Sequence, residues 1–226
     1  MRWFRHSAYG FLATVFLGLS AQAASKAPAI VFGKWLAVEW HNGAAEEKPL
    51  PLKVRALFVS GRMREYTLGE PHVVTDSLFV IQRAYRLNDL LPGEKGSAPR
   101  WRWQPGGWLL VNRVTGRVSQ LTLPHFDAHH SVATWYRDYV AYCGLSEDGY
   151  KIFAVVAQLG RRKPLLQHEL GRADQADLAD VECATPRWQR RPTRVTFEPA
   201  GRTSLTFEVR GHAAEPAAAE PEDSTE

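Results

Sequence analysis

From Lys34 to Arg210 the apolar residues alternate with polar ones at a period of two, in short runs bounded by Gly, Pro, Asn and Asp. That period places successive side chains on opposite faces, as in a strand with one face buried. The clearest runs are 34–40, 54–60, 63–68, 77–86, 100–104, 108–112, 132–143, 151–158, 194–198 and 204–210, and only 171–181 carries a weak helical pattern. The chain therefore reads as all-β.

Turn chemistry links several of these runs. Ser146-Glu147-Asp148-Gly149 separates two apolar stretches, with Asp-Gly supplying the positive φ of a tight hairpin. Ser60-Gly61, Thr115-Gly116 and Pro199-Ala200-Gly201 mark three further turns. The chain also echoes itself. "GRMREYTLGEPHVVTDSLFVIQRAY", starting at Gly61, is answered by "GRVSQLTLPHFDAHHSVATWYRDY", starting at Gly116; Ser77, Arg83 and Tyr85 each stand 54 positions before Ser131, Arg137 and Tyr139. Such an echo implies a duplicated unit of about four strands. The expected architecture is a set of repeated antiparallel four-stranded units, propeller-like or a partial propeller, with a two-sheet β-sandwich as the alternative.

"LSEDGYKIFAV", at 145–155, resembles the hairpin of β-propeller blades of the Ser-Pro-Asp-Gly-Lys type through Ser146, Asp148, Gly149, Lys151, Ile152 and Ala154, with Glu147 in place of the proline. "WLLVNRVTGRVSQLTL", at 108–123, is similar to the outer two strands of such a blade. The resemblance implies the same four-stranded unit.

Arg2 and Arg5 precede an apolar run at 8–19, and Ala21-Gln22-Ala23 follows it, the order of a secretory signal. The run is shorter than the roughly 20 residues that span a bilayer. Residues 1–23 are expected to be removed on export to a periplasmic or extracellular space, leaving no membrane span in the mature chain. Residues 24–211 are expected to form one β-rich domain, with repeats near 54–107 and 108–170. The Ala/Pro/Glu-rich tail at 212–226 is expected to be disordered. In an oxidising compartment Cys143 and Cys183 are expected to form a disulfide. The body at 24–211 holds 26 Lys and Arg against 19 Asp and Glu, a net +7 contributed mostly by Arg. For an exported protein this points to an acidic protein or glycan of the cell envelope, not to nucleic acid.

Three segments contain candidate site residues. "LPHFDAHHS", at 123–131, holds three of the eight histidines; as a strand it would put His125, Asp127 and His129 on one face as metal ligands, with His130 beside them. No zinc-type spacing accompanies them, and the alignment of His125 with His72 favours a polar connection between strands. "RWRW" places Trp101 and Trp103 on one face, either packed in the core or exposed as a stacking surface. "RWQRRPTR" gathers Arg187, Arg190, Arg191 and Arg194 around Trp188, a clamp for an anionic group or a solvated face. Neither a nucleophile elbow nor a phosphate-cradling loop occurs, and no cofactor is implied. Asp127, Asp138, Glu147 and Asp148 could pair in space. The chain thus reads first as an exported binding or scaffold module. The alternative is a secreted hydrolase acting on carbohydrate through paired carboxylates or the histidines.

Overall fold

The structure, a computed structural model, describes residues 27–40, 48–90, 98–172 and 183–217. The signal-like segment, most of the helical pattern at 171–181 and the last nine residues lie outside the described residues. Among the described residues every regular element is a strand.

The first sheet contains β1 (Ile30–Phe32), β2 (Leu36–Trp40), β3 (Leu50–Val59), β4 (Arg62–Thr75), β5 (Leu78–Asn88), β6 (Trp101–Asn112) and β7 (Val118–Leu121). It meanders from β2 to β6, and β6 returns to β2 through one parallel pair, Trp40 with Trp103. The sheet thereby curls into a small barrel around two packed layers. One layer is Leu57, Phe79, Ile81, Leu109 and Val111; the other is Val54, Leu68 and Ala84, with Tyr66 and Trp103 above it. Curling demands local bends, and Pro and Gly stand at them because neither suits a regular strand interior. The β5–β6 register shifts between Gln82 and Ala84, opposite Gly106 and Gly107; the β4–β5 register shifts between Leu68 and His72, at Gly69-Glu70-Pro71. A side chain at Gly106 would meet the Arg83 carbonyl at 3.2 Å.

Two antiparallel four-stranded sheets follow. The middle sheet is β8 (Thr134–Tyr136), β9 (Tyr139–Leu145), β10 (Lys151–Gln158) and β11 (Leu166–Arg172). The outer sheet is β12 (Arg187–Arg190), β13 (Thr193–Phe197), β14 (Leu205–Arg210) and β15 (Ala213–Pro216). They face each other, Ala141, Ala154 and Val156 packing against Val195, Phe197, Phe207 and Val209. The second face of the middle sheet, formed by Val140, Tyr142, Val155 and Ala157, lies under Leu123, Phe126 and Trp135. Burial on both faces explains why β9 and β10 are almost continuously apolar. The Cys143–Cys183 disulfide ties the middle sheet to the chain segment that bridges Pro199 at the edge of the outer one. Closing a loop of this length contributes about 4 kcal/mol through the unfolded chain. No helix among the described residues is long and apolar enough to cross a membrane.

Three sequence expectations need correction. The four-stranded units occur at 134–172 and 187–216, not at the echoed segments. Gly61 and Gly116 do both turn the chain with positive φ, 77° and 69°, but Arg83 lies within β5 while Arg137 forms the β8–β9 turn at φ 54°. The turn chemistry repeats and the tertiary partners do not. The acidic tail is also not disordered from its start, since Ala213–Pro216 pair with β14, and Gly171 and Arg172, read as helical, end β11.

Candidate functional site

The histidine-rich stretch forms two consecutive turns rather than a strand, so His125, Asp127 and His129 do not share a face. It is a strap over the middle sheet, and its polar atoms are used to hold it there. The Tyr142 hydroxyl donates to the Pro124 carbonyl at 2.6 Å, and the Leu145 N–H donates to the His125 carbonyl at 2.8 Å. Ser131 Oγ donates to the Cys143 carbonyl at 2.7 Å, while the Asp127 carboxylate accepts the His129 N–H at 2.7 Å. Phe126 packs edge-on against Tyr142, and the His125 ring lies over Phe153. Burial pushes the Tyr142 phenol far above its usual range, keeping it protonated as the donor. The His129 ring lies against Trp40 and His130 is exposed. Among the described residues no three His, Cys, Asp or Glu side chains gather where they could hold a metal ion.

The acidic residues considered for catalysis are dispersed. Asp127 caps the strap turn, Asp138 accepts from Gln158 Nε2 at 2.8 Å, and Asp148 closes the β9–β10 hairpin by accepting from Ser146 and from the Tyr150 N–H. Glu147 is exposed in that same turn.

The arginine run is also divided by its strand. Trp188 faces the inter-sheet core, its indole N–H donating to the Thr134 carbonyl at 3.3 Å and its ring lying 5.7 Å from that of Tyr136. Arg187 pairs with Glu198, and Arg194 lies 3.6 Å from Glu208. Glu208 also pairs with Arg210, and these arginines hold its carboxyl below the usual carboxylate value. Arg190 and Arg191 alone of the run project from the β12–β13 turn without a carboxylate partner among the described residues.

The tryptophans of "RWRW" occupy a more concentrated site. Hairpin pairing puts Arg86 opposite Trp103 and Asn88 opposite Trp101, all on the face that continues the barrel interior outward from Ala84. Trp103 packs edge-on against Tyr66 at 4.8 Å, so it belongs partly to the core. Trp101 is 53% exposed, so the two alternatives for the pair divide between its two rings. The Arg86 guanidinium stands 5.2 Å from the Trp101 ring, 5.4 Å from Trp103 and 5.6 Å from Tyr66. Each distance lies within cation–π reach, so three rings orient one cation at the barrel mouth. Arg102, on the reverse face, pairs with Asp89 at 2.6 Å; Arg86 has no carboxylate partner among the described residues.

No family model, no curated protein and no solved structure matches this chain. Function is therefore read from the site alone. Sequence reasoning missed Arg86 and Tyr66, which are 17 and 37 positions from Trp103 and reach it only through strand pairing. The alternation of "RAYRLN" with "WRW" across a shared hairpin is the signal that could have found Arg86.

Proposed function

We propose that this protein is an exported β-rich binding or scaffold module that recognises an acidic protein or glycan of the cell envelope. The observation that carries this reading is the placement of charge. Glu65, Glu70, Asp89, Glu169, Glu198 and Glu208 are each engaged by an Arg or Lys. Arg86, Arg117, Arg161, Arg162, Arg190 and Arg191 remain exposed with no carboxylate partner among the described residues. The net positive charge of the body is thus available at the surface, where it attracts polyanions. The disulfide and the signal-like start of the chain support an oxidising destination.

Chromatography on immobilised polyglutamate and polygalacturonate tests the reading. Retention at low ionic strength is expected, with release as salt rises toward about 1 M and the screening length shrinks to a few ångströms. Equal retention on an uncharged matrix, or flow-through on both polyanions, would overturn it.

A further inference from the structure

We infer that the barrel mouth formed by Arg86, Trp101, Trp103 and Tyr66 is a binding site for a carboxylated sugar, a uronic acid residue of an acidic glycan. This deepens the proposed function and rests on it.

The first ground is orientation. An exposed arginine on a strand normally samples many rotamers, whereas the Arg86 guanidinium is framed by three rings between 5.2 and 5.6 Å from it. A pre-oriented planar fork loses less entropy when it grips a carboxylate by two parallel hydrogen bonds. The second ground is vacancy of charge. Neighbouring arginines on the same sheet have carboxylates, Arg83 with Glu65 at 2.9 Å and Arg102 with Asp89, and Arg86 has none among the described residues. The third is the exposed indole. Trp101 stands beside the guanidinium on one face of the hairpin with more than half its surface open to water. Large aromatic surface left in water beside a directed polar group marks a recognition site.

A uronic acid meets both features in one rigid unit. Its ring presents an apolar C–H face to the indole, and its carboxylate projects from the same ring toward the guanidinium. An Asp or Glu side chain of a protein would satisfy Arg86 but leave the indole uncovered. Trp103 and Tyr66 support Arg86 from below and are positioning residues, since Tyr66 and Trp103 pack on each other and on the barrel core.

Titration of the full chain with trigalacturonate, followed by calorimetry and by the Trp101 indole N–H resonance, tests this site. Arg86→Gln and Trp101→Ala each alter an exposed side chain, and circular dichroism checks that both fold. Each is expected to weaken binding at least about tenfold, Arg86→Gln through lost charge-assisted hydrogen bonds and Trp101→Ala through the lost stacking surface. Lys163→Gln, an equal change of charge at an exposed residue between β10 and β11, is expected to leave the affinity within about twofold. Methyl-esterified trigalacturonate is expected to lose the same tenfold or more. Full binding of the ester would overturn the carboxylate reading, and unchanged affinity in both mouth variants would place the sugar elsewhere. If triglutamate binds as tightly as the sugar acid and through the same residues, the glycan assignment fails while an acidic partner stands. If neither probe binds, the wider proposal fails with it.

Discussion

Gly144 shows how narrowly the strap is seated. A methyl group there would stand 2.7 Å from the His125 carbonyl oxygen and 2.9 Å from its Cβ. Both obstacles are fixed by hydrogen bonding and ring packing, so the strap must lift to accommodate it. Gly144→Ala is expected to cost about 1–3 kcal/mol, the usual penalty of overpacking, read from urea unfolding. Tyr142→Phe leaves the Pro124 carbonyl without its buried donor and is expected to cost about 1–2 kcal/mol in the same assay. Asp148 makes a pH-dependent contribution. The Ser146 hydroxyl, then the Tyr150 N–H, hold its carboxyl below the ordinary value of 3.8. A carboxyl depressed by folding adds stability above the unfolded value and loses it as pH falls through the folded one. The stability gap between the wild type and Asp148→Asn is therefore expected to be full near neutrality and to close below about pH 3.8. Thermal melts across that range check it, and a gap that widened in acid would contradict the turn's role.

At the level of elements, the disulfide acts on a pair of sheets. Reduction, or Cys143→Ala with Cys183→Ala, frees a loop spanning 40 positions and is expected to lower unfolding free energy by about 4 kcal/mol in denaturant titration. Most of the strands were legible because their information is local: β9, the Ser146–Gly149 turn and β10 follow from alternation and from one Asp-Gly pair. The Cys143–Cys183 bridge was legible from the count of two cysteines and from the expectation of an oxidising compartment. The barrel was not, because its closure rests on one pair, Trp40 with Trp103, whose partners are 63 positions apart and joined in parallel. "LPHFDAHHS" reads in the sequence as a polar connection between strands, and it does connect β7 to β8, but its anchoring by Tyr142 and Ser131 was not legible because those contacts depend on tertiary packing. The packing of Trp188 was not legible for the same reason: the arginines around it are local, and the rings it lies against, Tyr136 and Tyr139, come from β8 and β9.

For the whole molecule, the joint between barrel and sandwich is a small aromatic cluster. Trp135 lies 5.3 Å from Trp108 and 5.9 Å from His72, and His72 Nε2 is 2.7 Å from the Arg137 carbonyl. Trp135→Ala is expected to cost about 3 kcal/mol and to split one calorimetric transition into two, as barrel and sandwich lose their shared contact. The double burial of the middle sheet also has a kinetic consequence. The outer sheet rests on one of its faces and the strap on the other, so neither can complete its packing before it exists, and β9 and β10 are joined by one short turn. Folding should therefore nucleate in the interior of the sequence and spread toward both ends. In stopped-flow measurements Val155→Ala is expected to slow folding, whereas Leu57→Ala chiefly hastens unfolding, so that both termini are the last to be committed.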